Sequence, residues 1–160
     1  MAGSEKLGIS QARADLFQDA ACFVTPTSSS DMAVVERVAS FWQALGMRIY
    51  RVSPTEHDAA VASISHLPHV VAAVLVEAAL AEDPTVANYV AGGFRDTTRI
   101  AAGSPEMWTG ILMENRDAVI SALTRFQSKT GDLLAFLESI DEENLRNFLA
   151  SAKCRRDSVD

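Results

Sequence analysis

The sequence is short of cysteine, of histidine and of clustered positive charge, and each shortage removes a class of function. Two cysteines occur in 160 residues, Cys22 and Cys154, far apart and without metal-ligand spacing. The opening Met1-Ala2-Gly3-Ser4-Glu5-Lys6 has no apolar signal core. Together these features read as a reduced, cytoplasmic protein. Lys and Arg number 14 against 21 Asp and Glu, a formal net charge of −7, and the basic residues cluster only in the short tail Lys153, Arg155, Arg156. Nucleic acid is therefore not an expected partner. The longest apolar stretch, Val70 to Leu80, contains Glu77 and falls short of the roughly 20 residues a spanning helix needs. It is expected to be a buried helix, and no membrane partner is expected.

What is present is 48% hydrophobic and 22% charged residues, enough for one compact domain or for one domain plus part of another. The first third alternates strand-like and helical texture. A β-rich run at Cys22-Phe23-Val24-Thr25 ends at Pro26. From Asp31, the apolar residues Val34, Val35, Val38, Phe41, Trp42 and Leu45 recur at helical intervals, with Gly46 as a C-cap. Met47 to Val52 is again rich in strand formers. This β-helix-β pattern predicts the closing part of an α/β sheet, since two strands cannot make a doubly wound domain.

At Ser53-Pro54-Thr55-Glu56 the texture changes to a capping box with proline at the first helical position. Similar starts at Asp83-Pro84 and Ser104-Pro105 predict helices near 54–82, 84–102 and 105–129, with further helical segments from Asp132 onward. The domain boundary is placed near residue 53, giving 1–53 and 54–160. Helices this long in a piece of roughly a hundred residues expose apolar faces that one small bundle does not cover, so dimerisation is expected.

Two segments carry candidate chemistry. In Ser65-His66-Leu67-Pro68-His69, proline interrupts a helix at a cost of about 3 kcal/mol, so the segment is either a kinked core helix with satisfied histidines or a functional bend. His57, His66 and His69 are the only histidines. On a helix of about 100° per residue, His66 and His69 lie about 60° apart but His57 falls on the opposite side. Glu77 returns to the His66 face about 16 Å further along the axis. Two ligands are too few, so no metal site is expected. In Gly92-Gly93-Phe94-Arg95-Asp96-Thr97-Thr98-Arg99-Ile100, a glycine pair that permits close backbone approach precedes two arginines on one helix face. Either Asp96 pairs with Arg99 at the surface, or Arg99 meets an anionic ligand whose carboxylate matches its planar fork. Trp108 opens the next helix and faces either the core or a ligand.

Taken in order, Met1 to Gly8, Glu56-His57-Asp58, Ser65-His66-Leu67-Pro68-His69, Gly92 to Ala101 and Met107-Trp108 resemble the prephenate and arogenate dehydrogenase family. The likeness covers most of the chain. It implies a mainly α fold in which the β-α-β end of a Rossmann-type domain is followed by an all-α domain for dimerisation and substrate binding. The implied activity is NAD- or NADP-dependent oxidative decarboxylation in tyrosine biosynthesis, with prephenate or arogenate as substrate and a homodimer as the assembly. The resemblance gives His66 and Arg99 substrate-carboxylate roles, Glu5 a place in the active-site polar network, and Gly92 and Trp108 positions near the pocket. The family's general-base histidine, in a His-Pro preceding the segment that matches Met1, and its Gly-x-Gly-x-x-Gly fingerprint are absent. The chain is therefore read as a C-terminal portion with no catalytic residue of its own, expected to bind no cofactor and to lack turnover. The alternative is a standalone helical dimerisation or small-acid-binding regulatory protein derived from that enzyme.

Overall fold

The computed structural model describes residues 8–9 and 12–159. It divides into two compact units, Met1–Val61 and Ala62–Asp160.

The first unit is built on the expected β-helix-β. Strand β1 (Ala21–Val24) pairs in parallel with β2 (Arg48–Arg51), with Ala21 opposite Arg48 and Val24 opposite Arg51. Parallel neighbours need a crossover, and α1 (Met32–Ala44) supplies it. The Asp31 side chain caps α1 by accepting from the Ala33 amide at 2.8 Å. Val35 and Ala39 are its buried residues. Gly46 ends the turn at φ +90°, the left-handed region that a side chain disfavours. Next comes α2 (Pro54–Val61). Its capping box is closed from both sides: Ser53 N–H donates to Glu56 Oε2 at 2.7 Å, and Glu56 N–H donates to Ser53 Oγ at 3.2 Å.

The second unit is helical. A π turn over Ala62–His66 leads into α3 (Leu67–Leu80), and a 3-10 turn (Pro84–Tyr89) leads to α4 (Gly92–Thr98). A second 3-10 turn (Arg99–Ala102) is followed by α5 (Pro105–Glu114), α6 (Arg116–Glu138) and α7 (Glu142–Asp157). Its centre is Ala62, Val119 and Ala122, with Leu67, Leu112, Ala118 and Leu123 packed around them. Two alanines at this centre let α6 approach the π turn closely, and Arg125 then reaches Ser63 Oγ at 3.2 Å. Proline has no N–H to donate, and its ring crowds the carbonyl four residues back. The wider π turn stands immediately before Pro68, and the helical backbone passes the proline without a break.

Three expectations are corrected here. The segment 84–102 is not one helix, because Val90 and Ala91 take extended ψ angles of 122° and −177° between the first 3-10 turn and α4. The helix expected over 105–129 breaks instead at Asn115, whose φ of −107° and ψ of 30° leave the helical region, and α6 then runs unbroken past Gly131. One exposed glycine costs a helix only about 1 kcal/mol, which 23 residues of helix absorb. Lastly, the helix that carries Val70 to Leu80 extends well beyond that stretch. Helix from Pro54 to Leu80 spans 27 residues and is long and apolar enough, by length and composition, to cross a membrane. Nor is it a fully buried helix: 28% of its most apolar window is buried, and Ile64 and Val74 are 69% and 55% exposed.

Candidate functional site

The π turn and the first turn of α3 bring His66 and His69 into the interior of the helical unit, where both are buried. Trp108 arrives from the first turn of α5, which Ser104 caps by accepting from the Met107 amide at 3.2 Å. The Trp108 indole lies flat on the His69 ring, with centroids 3.5 Å apart and planes 11° from parallel. His66 meets the same indole edge-on at 6.3 Å. Asn115, at the break between α5 and α6, places its side-chain amide nitrogen 3.3 Å from His66 Nδ1.

His69 is held differently from His66. Its Nδ1 is buried and has no hydrogen-bond partner among the described residues. A buried polar atom without a partner is costly, and it is a common sign of a group waiting for a ligand or water. Burial also pushes the His69 ring below the usual imidazole range, because the charged form is the one that loses hydration.

Arg99 begins the 3-10 turn that packs against α3 and ends at Gly103. It is exposed, and among the described residues it forms no ion pair, so the Asp96–Arg99 pair does not form. Helical geometry changes at Arg99, which places it on the tighter turn, apart from the α-helix that carries Arg95. At about 2 Å per residue along such a turn, the Arg99 and Gly103 backbones are about 8 Å apart. Gly103 in turn lies directly against Trp108 and His69.

Gly92 opens α4, but neither it nor Gly93 is a close-approach glycine, since a Cβ on either would meet nothing within 4 Å. Glu5 lies outside the described residues. His57 belongs to the first unit, where its Nδ1 is 3.0 Å from Asp58 Oδ1 and its ring meets Phe23 edge-on. Among the described residues no three His, Cys, Asp or Glu side chains converge as a metal site.

The helical unit thus gathers His66, Trp108, His69 and Asn115, with the Arg99 turn beside them. Reading by sequence gave His69 no role beyond a rejected metal set, and passed over Gly103 and Asn115. The three-residue spacing of His66 and His69 was the available signal for the first. No local pattern marks the other two.

Elsewhere in this unit, Val70, Val71, Val74, Ile120, Leu123 and Phe126 line an open apolar groove of about 420 Å³ between α3 and α6.

Comparison with known proteins adds the following. The family described as "Prephenate dehydrogenase, dimerization domain" matches residues 53–151, and "Prephenate dehydrogenase, nucleotide-binding domain" matches residues 1–51. Prephenate dehydrogenase of Bacillus subtilis is 36% identical over 99% of this chain and 44% of its own length. The crystal structure of Synechocystis arogenate dehydrogenase is 32% identical with a TM-score of 0.89, over 99% of this chain and 59% of that one. Prephenate dehydrogenase from A. aeolicus, in complex with hydroxyphenyl propionate and NAD+, is 32% identical with a TM-score of 0.92, over 100% of this chain and 57% of that one. The chain spans about half the length of the curated relatives it matches. The histidine and tryptophan site sits within the matched helical region, and the chain belongs to the prephenate dehydrogenase family.

Proposed function

We propose that this chain is the C-terminal part of an NAD(P)-dependent prephenate or arogenate dehydrogenase, and that its helical unit supplies the substrate-carboxylate pocket. The observation that carries this reading is the placement of Arg99. A guanidinium without an ion-pair partner among the described residues begins the turn that ends against a buried imidazole and indole stack. A cyclohexadienol acid needs both features. Its carboxylate matches the Arg99 fork, and its flat ring matches an apolar wall with one or two polar handles. His69 Nδ1 offers such a handle, and neutral imidazole can donate or accept there according to its tautomer. His66, held by Asn115, is the second. Gly92, at the start of α4, and Glu5 are assigned to the pocket and its polar network by family resemblance alone.

The nicotinamide of the cofactor is the hydride acceptor in this reading. No Gly-x-Gly-x-x-Gly occurs in the sequence, so no residue of this chain is assigned to the pyrophosphate. This chain binds the acid and does not turn it over.

The homodimer belongs to the same proposal. Ile64, Val74, Met113, Ile120 and Leu134 of the helical unit are between 47% and 69% exposed, more apolar surface than a stable lone unit leaves in water. The matched family's description as a dimerization domain supports a second copy as the cover.

The test uses hydroxyphenyl propionate as probe, titrated into this chain while Trp108 and His69 are followed by NMR. Saturable shifts at both rings, lost in Arg99→Ala, are the expected result. Shifts that persist unchanged in that variant would refute the assignment of the carboxylate to Arg99.

A further inference from the structure

We propose that Gly103 is a positioning residue, whose missing side chain lets the Trp108 indole lie flat on His69. The inference rests on reading that stack as the wall of the substrate pocket.

Backbone conformation does not require glycine at this position. Gly103 has φ −65° and ψ 158°, which any residue adopts. Space does require it. A Cβ built on Gly103 falls 2.5 Å from Trp108 Nε1, 2.8 Å from Trp108 Cδ1 and 3.3 Å from His69 Cε1. Non-bonded heavy atoms attract best at about 3.5–4.0 Å, so the first two contacts are repulsive and the third is tight. Gly92, Gly93, Gly110 and Gly131 have open space where their Cβ would be. Gly46 is explained by its positive φ.

The surroundings leave the indole little freedom to yield. The Trp108 backbone amide donates to the Ser104 carbonyl at 3.0 Å, inside the first turn of a capped helix, which fixes the backbone that carries the indole. Below the indole is the buried His69 ring, already at stacking distance. On the other side of Gly103, its own N–H donates to the Ile100 carbonyl at 3.2 Å and closes the 3-10 turn that starts at Arg99. Gly103 is therefore the hinge between the turn carrying the carboxylate anchor and the helix carrying the aromatic wall. A side chain there moves the indole, the anchor or both, and a misplacement of about 1 Å at a reacting centre costs as much as about a hundredfold.

The experiment compares Gly103→Ala, Trp108→Ala and the double variant in this chain, with circular dichroism to establish folding. Two readouts concern the stack itself: His69 ring titration by NMR, and Trp108 fluorescence where the indole is present. The third is affinity for hydroxyphenyl propionate. Trp108→Ala removes both the Nε1 and the Cδ1 atom that the new methyl meets. Gly103→Ala should therefore move His69 titration up towards the ordinary imidazole range of about 6.5 and weaken probe binding about tenfold or more. In the Trp108→Ala background it should change neither. Unaltered titration and fluorescence in Gly103→Ala would overturn the positioning role while leaving the pocket standing. Equal effects in both backgrounds would overturn it too. A moved stack with unaltered probe affinity would instead overturn the stack as pocket wall, and the positioning role with it. If Gly103→Ala does not fold, the double variant must, because the contact is relieved; a double variant that also fails to fold would refute the assignment of the clash to the indole.

Discussion

Replacing Arg99 by alanine separates binding from stability in a way the structure makes quantitative. The side chain is exposed and makes no ion pair among the described residues. Surface substitutions of this kind change stability by no more than about 0.5 kcal/mol. Truncating one partner of a buried charged contact costs about 2–5 kcal/mol of binding, much of it from the charge left unpaired. Arg99 sits at the open end of its turn, so the lower part of that range applies. A loss of about 2–3 kcal/mol corresponds to roughly thirty- to hundred-and-fiftyfold weaker binding. In the full-length enzyme, Arg99→Ala should raise KM for prephenate by that factor while the thermal midpoint and the cofactor affinity hold. Arg99→Lys should restore part of the loss, because a point charge attracts the carboxylate without reproducing the two parallel hydrogen bonds. Asp96→Ala is the control and should leave the kinetics unaltered. Steady-state kinetics and thermal unfolding on the same preparations decide the matter. A near-wild-type KM in Arg99→Ala, or a stability loss above about 1 kcal/mol, would refute the reasoning.

Sedimentation of the chain should give twice 17.2 kDa, and Val74→Glu on the exposed apolar face should give a folded monomer; a wild-type monomer at low micromolar concentration would exclude the dimer. The His69 ring is held below its ordinary range by burial, so the unfolded chain takes up this proton more readily than the folded one. The group therefore leaves stability untouched above about pH 6.5 and lowers it as pH falls from there towards the depressed folded value. Thermal unfolding across that window should show a shallower slope for His69→Phe than for wild type, and equal slopes would count against a neutral buried imidazole. Val119→Ala, at the centre of the helical unit, removes two buried carbons and should cost about 2 kcal/mol in urea unfolding with the denaturant slope unchanged. A cost under about 0.5 kcal/mol would mean that this centre does not support the fold.

The amino-acid sequence by itself determined the parts of this protein that are decided within a few residues. Asp31, the Ser53-Pro54-Glu56 box, Asp83 and Ser104 each satisfy amide groups two or three positions along the chain, so their helix starts were legible before any fold was known. Gly46 was legible for the same reason, as a helix end reached through a positive φ. The β-helix-β order likewise followed from local patterning, since parallel pairing leaves few alternatives to a crossover helix. Tertiary structure alone decided where long helices break. Asn115, which ends α5, faces His66 from 49 residues away, while Gly131, a plausible breaker on propensity, lies inside α6. It also decided that Arg99 and Asp96 stay apart, that His69 stacks on Trp108, and that Gly103 is the tight glycine while Gly92 and Gly93 have open space. Propensities and caps act through bonds to near neighbours. The site depends on which side chains occupy the same few cubic ångströms, and that is set by the packing of α3, α5 and α6 together.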